Sequence, residues 1–279
     1  MEKSLPICLE KLEQDEEKFP SSDLPKVSVI IPTYNSSQSV VVTLDSVLEQ
    51  DYPQFDVLVI DGGSSDRTLE IVNSYRSERV HIYSLPKSSR YEMINKGLAH
   101  ATGSYVNILF PNDFYIHKRT LKFMMNLALE HEKPHLVYCG TLLRDGKSDV
   151  KILYRQLSLK LLKRGHQPTS LQSCWFRTDV FEVLGDFNVA FKLRGGFDFL
   201  CRFFTSKNHT WASAYRALTD YDLRWVTRRM VIRHFWETLR IIYKYFGFYR
   251  TFKWLFYQKD VSRFIKLWVR SIKVAFFGD

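Results

Sequence analysis

No window of the 279 residues reaches the roughly 18 uncharged apolar positions that a membrane-spanning helix needs, so no spanning helix is expected. No CxxC pair is present. The four cysteines, Cys8, Cys139, Cys174 and Cys201, are scattered, which excludes a disulfide scaffold and a zinc ribbon and fits a reducing compartment. Cys174 and Cys201 lie in apolar contexts and read as core residues. The stretch up to Phe19 has no long apolar run and does not read as a signal peptide, so the expected location is the cytoplasm. No internal repeat is found. What is present is a globular composition, 45% hydrophobic and 25% charged, which excludes overall disorder. The length allows one large domain, or one plus a small module.

Acidic charge is scarce in the last fifth of the chain. Residues 224–279 hold 13 Lys/Arg against 3 Asp/Glu, whereas the preceding 223 residues hold 27 of each sign. The same segment carries 16 of the 42 aromatics. That imbalance calls for a polyanionic partner or surface. Three parts are therefore expected: a mobile acidic tail over 1–25, a domain over 26–223, and a basic aromatic helical module over 224–279.

From Val27 the pattern is one of short β-branched runs alternating with amphipathic helices. Strands are expected at 27–31, 55–60, 80–83 and 104–110. Between them lie helices near 40–48, capped by Ser36 or Ser37, at 69–75, capped by Asp66, and at 89–100, with Ser89 and Glu92 as a capping box. This alternation means a parallel sheet with crossover helices. Beyond 135 the order is less regular, with strands expected at 135–143, 171–177 and 210–217 and helices near 158–163, from Thr178, and at 197–206.

Ligands of an open α/β sheet sit beyond the carboxyl ends of its strands. Four such ends can be named: Pro32-Thr33-Tyr34-Asn35, Asp61 to Asp66, Leu85-Pro86-Lys87, and Pro111-Asn112-Asp113. Each alone reads equally well as turn chemistry, since loops need Gly, Asn, Asp and Pro. Their order and spacing together point to a site.

Val27–Asn35 (VSVIIPTYN) followed by Val59–Thr68 (VIDGGSSDRT) closely resembles the start of family 2 glycosyltransferases of the GT-A fold. Tyr91–Gly97 (YEMINKG) with Ala101–Tyr105 (ATGSY) resembles the next family segment, and Gly185–Phe187 with Phe197–Arg202 resembles the acceptor half. The resemblance spans about 27–205 and is strongest up to 113. It implies an α/β, Rossmann-like, mostly parallel sheet with flanking helices, followed here by the basic amphipathic helical segment. It implies a nucleotide-sugar donor and a glycan or lipid-linked acceptor of the cell envelope, the acceptor hydroxyl displacing the nucleotide with inversion. Pro32, Thr33, Tyr34 and Asn35 would hold the base and ribose. Asp61 would accept a hydrogen bond from the base, with Gly62 and Gly63 letting the ligand approach. The alternative for Asp61 is a turn-forming Asp before two glycines. Tyr91 and Asn95 would complete the donor site.

Some family positions differ. The metal-binding Asp-x-Asp run aligns with Phe110–Asp113, which leaves Asp113, with Asn112 as a neutral ligand, for a divalent Mg²⁺ or Mn²⁺. Lys87 stands where many relatives carry an Asp and can pair with a phosphate. The base position of the family aligns with Gly196, so Asp198 is the remaining acidic candidate for the catalytic base, with pairing to Arg202 at i+4 as its alternative. Gln172 is expected on the acceptor side. A catalytically impaired relative that binds nucleotide sugars or acts as a scaffold is the competing function.

In the basic module, Ile232, Phe235, Trp236, Leu239, Ile242 and Phe246 share a helical face, and Val261, Phe264, Ile265, Trp268 and Ile272 repeat it, with cations opposite. That is the signature of helices lying in an anionic membrane surface, which would make the protein peripheral on the cytoplasmic face. Packing on the core, or on a second copy in a homo-oligomer, is the alternative. No RNP-like, zinc or helix-turn-helix pattern supports nucleic-acid binding.

Overall fold

A computed structural model describes residues 23–146, 151–224 and 226–257. The four expected strands of the first half are β1 Val27–Thr33, β2 Phe55–Asp61, β3 Val80–Ser84 and β4 Tyr105–Ile108, separated by α1 Val40–Leu48, α2 Thr68–Ser74 and α3 Arg90–Leu98. β1 and β2 are buried along their whole length because helices cover both faces. Ile30, Leu58 and Ile60 pack on one face with Ile94 of α3, and Val29, Ile31, Val57 and Val59 on the other with Val40 and Leu44 of α1. Each fully buried aliphatic side chain contributes roughly 1.5–3 kcal/mol.

The second half adds α4 Thr120–Glu130, β5 Leu136–Arg144, β6 Lys151–Leu153, α5 Leu159–Lys163, a 3₁₀ turn at Leu171–Ser173, β7 Cys174–Arg177, α6 Asp179–Leu184, α7 Gly195–Thr205, β8 Trp211–Asp222 and α8 Arg228–Tyr257. The strand order is β3-β2-β1-β4-β7-β5-β6, with β8 on the other edge of β5. β1 pairs in parallel with β2 and β4, β2 with β3, and β5 with β8, while β7 and β6 run against their neighbours. The carboxyl ends of β1, β2, β3, β4, β5 and β8 therefore point the same way.

Several elements depart from the sequence reading. The strand expected at 171–177 opens with the 3₁₀ turn, and the one expected to stop at 217 continues to Asp222. α4 was not expected, although Leu121, Met124, Met125 and Ala128 are buried at helical spacing. α1 begins after Ser39, not after Ser36 or Ser37, because the Ser36 hydroxyl donates to the Tyr34 carbonyl while the Ser36 carbonyl accepts from Val40 N–H. The Glu92 half of the expected capping box is formed, its carboxylate accepting from Ser89 N–H at 2.6 Å. Cys139, Cys174 and Cys201 are free and buried.

α8 is helical as expected but broken at Gly247 (φ 75°). The face expected to meet a membrane is split: Ile242 joins the buried cluster of Phe176 and Phe199, with Ile241 and Trp254 beside it, and Phe235, Leu239 and Phe246 pack against that cluster, whereas Ile232 and Trp236 stay exposed. This segment is apolar on more than one side, so periodicity alone chose the core-facing stripe. The second expected face, Val261 to Ile272, lies outside the described residues, as does most of the acidic tail. Among the described residues no helix is long and apolar enough to cross a membrane.

Candidate active site

Three strand ends are stitched into one cradle. The Gly62 N–H donates to the Thr33 carbonyl at 2.8 Å, Leu85 N–H to the Asp61 carbonyl at 2.7 Å, and Lys87 N–H to the Gly62 carbonyl at 3.0 Å. Asn35 and Lys87 adopt left-handed backbone (φ 46° and 62°), as does Gly63 (φ 91°). The Asn35 side-chain oxygen accepts from Ser65 N–H, and Asn35 N–H donates to the Ser64 hydroxyl, each at 2.9 Å. Asp66 adds a further brace, accepting from the Ser37 and Thr68 N–H groups. Tyr34, 59% exposed, and Lys87 stand free at the rim, while Pro32 and Thr33 are buried in β1.

Asp61 is fully buried beneath this cradle. One carboxylate oxygen accepts from Gly63 N–H and Ser64 N–H, both at 2.9 Å, and the other accepts from the hydroxyls of Ser64 and Thr33. Its turn-forming role is thus built, with the amides of Gly63 and Ser64 committed to it.

Beside the cradle, across β4, β7 and β8, lies a cavity of about 590 Å³. Phe110, Pro111, Asp113, Gln172 and Asp222 line it from the sheet side, Gly196 from the first turn of α7, and Val226, Met230, Val231 and His234 from α8 and the approach to it. Gln172 lines this cavity, donating to the Asp113 carboxylate at 3.0 Å. Arg90 projects over the Phe110 ring, 4.5 Å from its centroid.

Two carboxyl groups in this wall are driven in opposite directions. Burial pushes the Asp113 carboxyl well above the usual range, and the Asp220 charge adds to this. Asp222 is lowered to about 2, chiefly by its hydrogen bond from Arg224. Arg144 pairs with Asp220 at 2.8 Å and reaches Asp222 at 3.6 Å. The sequence reading missed Asp220, Asp222 and Arg144. Extending β8 by five residues would have put Asp222 at a strand end, the place where ligand-binding groups are sought.

Two expected site residues, Asp198 and Asn95, lie outside the cavity, and a third, Tyr91, lines it with its hydroxyl engaged by backbone. Asp198 does not line the cavity. Its side chain is fully buried against α8, pairing with Lys244 Nζ at 3.0 Å, the Tyr245 hydroxyl at 3.0 Å and Arg202 Nε at 3.2 Å. It lies two positions beyond Gly196, and that offset turns it to another side of α7. Asn95 spends its carboxamide on the backbone of Phe187, donating at 2.8 Å and accepting at 3.1 Å. The Tyr91 hydroxyl donates to the Leu193 carbonyl and accepts from Gly196 N–H, both at 3.1 Å, so it braces the cavity wall. A Cβ on Gly195 would lie 2.6 Å from the Tyr91 ring, and only glycine allows this approach.

The residues present do not fit a tightly held divalent cation. Asn112 gives its amide nitrogen to the Asp222 carboxylate, and the buried Asp113 carboxylate accepts from the Gln172 amide and from Asp222 N–H. Among the described residues no group of three or more His, Cys, Asp or Glu side chains could hold a metal.

The family model for glycosyl transferase family 2 matches residues 28–188. The chain is 29% identical over 191 residues to a PGL/p-HBAD biosynthesis glycosyltransferase of Mycobacterium bovis, covering 65% of this chain and 71% of that protein. It is 36% identical over 117 residues to the poly(ribitol-phosphate) beta-N-acetylglucosaminyltransferase TarS of Staphylococcus aureus, covering 40% of this chain and 20% of that protein. The crystal structure of TarS 1-349 in complex with UDP-GlcNAc superposes with a TM-score of 0.65 at 24% identity, over 78% of this chain and 65% of that one. The present chain thus spans under two thirds of that structure, and the likeness is one of fold.

Proposed function

The chain belongs to glycosyl transferase family 2, and we propose that it moves a sugar from a nucleotide-sugar donor to a glycan or lipid-linked acceptor of the cell envelope, with inversion at the anomeric carbon. The observation that carries this reading is the adjacency of two sites at one end of the sheet. The cradle over β1, β2 and β3 suits a nucleotide, and the cavity over β4, β7 and β8 suits an acceptor. The fold neighbour TarS was crystallised with UDP-GlcNAc, which supports this class of donor.

In this reading Tyr34 and the surface of the 61–65 turn take the base and ribose, and Lys87 and Arg90 meet the diphosphate. Asp113 is the cavity carboxyl best suited to take the acceptor hydroxyl's proton, because a raised pKa brings a base closer to the working pH. No step is assigned to a cation.

The test is a thermal-shift screen of UDP-, GDP- and dTDP-sugars, followed by an assay for nucleotide release with an acceptor extract. One nucleotide class should raise the melting temperature with the logarithm of its concentration. No shift with any of them would reject the reading.

A second reading, a nucleotide-sugar-binding protein with impaired catalysis, is favoured by Gly196 lining the cavity where the resemblance places a base. The nearest atoms to a Cβ at Gly196 would belong to the Leu171 side chain, at 3.3–3.7 Å, so Gly196→Asp can be tested. Donor binding without turnover in the wild type, with turnover gained in Gly196→Asp, would establish it.

A further inference from the structure

We infer that the outer side of α8 docks on an anionic lipid leaflet, through Ile232 and Trp236 of the stripe that periodicity first suggests and through exposed residues outside it. In the arm before Gly247, Ile232, Trp236 and Tyr243 follow one exposed ridge, with Arg229, Arg233 and Arg240 exposed beside it. In the arm after Gly247, Phe248, Phe252 and Phe256 form an exposed ladder at i, i+4 and i+8. Their ring centroids are 6.2 and 4.6 Å apart, and Phe248 is 74% exposed. Tyr249 and Arg250 lie exposed next to this ladder. A run of large exposed apolar side chains at regular spacing marks an interaction surface.

Charge selects the occupant. The only acidic residue in α8, Glu237, is buried and turned inward to backbone amides, so the outer side is purely cationic. A second copy of the chain meeting this face across a two-fold axis would set arginine against arginine. An anionic bilayer accepts both features, rings at the acyl boundary and guanidinium groups among the headgroups. The inner side of the same helix walls the cavity and is bonded to α7, so docking leaves the site intact and holds it near the lipid. This inference adds a location to the proposed function, and its test does not depend on turnover.

The experiment is co-sedimentation of the full-length chain with phosphatidylcholine vesicles, with or without phosphatidylglycerol, at low and high salt. The wild type should pellet with the anionic vesicles and at least tenfold more weakly with neutral vesicles or at high salt. Phe248→Ser/Phe252→Ser/Phe256→Ser should lose tenfold or more of that binding while keeping its melting temperature and its response to nucleotide sugars, since exposed rings cost little to remove. Arg233→Glu/Arg240→Glu should lose binding in the same way. Equal pelleting of the triple variant overturns the proposal, as does equal binding to neutral vesicles. A triple variant that melts several degrees lower would show the rings covered within the chain and overturns it too. So would a lipid-free dimer abolished by the triple variant, or tighter binding of single-stranded DNA than of vesicles. Failure of nucleotide sugars to bind would instead strike the proposed function and leave docking standing.

Discussion

Glu237 in α8 accepts the backbone N–H of Arg194 at 2.8 Å, and the same carboxylate takes the N–H groups of Lys192 and Leu193 at 2.9 Å each. These donors sit at the amino end of α7, where orphan amides and the helix dipole favour a negative charge. The C-terminal helix is therefore tied to the loop that leads into Gly196 and the cavity wall. Glu237→Ala should cost about 3 kcal/mol in urea unfolding, because buried amides lose their acceptor. Glu237→Gln should recover part of this. A loss well under about 1 kcal/mol for the alanine variant would contradict the tie.

Asp61→Asn tests the cradle. The asparagine keeps one oxygen for the amides of Gly63 and Ser64 but loses the second acceptor used by the hydroxyls. Folding stability should fall by about 1–3 kcal/mol, and nucleotide-sugar affinity should fall with it because the turn loosens. Calorimetric titration at a temperature where both proteins are folded checks this, and unchanged affinity would show that the turn is not the nucleotide contact.

Asp198→Asn separates a packing carboxylate from a catalytic one. Its partners Lys244 and Arg202 stay partly exposed, at 48% and 20%, so solvent screens much of the loss. A drop of about 1–3 kcal/mol is expected for these bonds to a buried carboxylate, with turnover within a few-fold of wild type. Abolished transfer in a folded, donor-binding Asp198→Asn protein would return the base to that residue.

Asp113 and Asp222 should act oppositely on the pH dependence of stability. The folded pKa of Asp113 is raised, mainly by burial, so its stabilising contribution is present at acid pH and lost as pH rises through that value. Asp222 is held at about 2, mainly by its hydrogen bond from Arg224, so its contribution is full above an unfolded pKa of about 4 and is lost as pH falls toward 2. Unfolding measured from pH 2 to 8 should show Asp113→Asn more stable than wild type at pH 8, with the gap closing near pH 3. Asp222→Asn should be less stable at pH 8, with its deficit closing between pH 4 and 2. Parallel profiles for the two variants would refute the assignment.

The sequence by itself determined the first half of the sheet, because β-branched runs such as Val27–Ile31 and Phe55–Ile60 are buried on both faces and leave no competing periodicity. It also determined the strand-end turns, since Asn35, Gly63 and Asp61 are the residue types that left-handed backbone and amide-capped turns require. Only the tertiary structure decided which side chains face the cavity. Two neighbours on α7, Gly196 and Asp198, differ in outcome by their angle about the helix axis, and that angle gains meaning only when α8 packs against one side. The same holds for α8, whose apolar residues exceed what one face can bury, so contact with the core settled which stripe went in and which stayed out. Asp113 lies more than a hundred residues from Asp220 and Asp222, and long-range register alone made them neighbours in one wall, with burial raising the Asp113 carboxyl and the Arg224 hydrogen bond lowering that of Asp222.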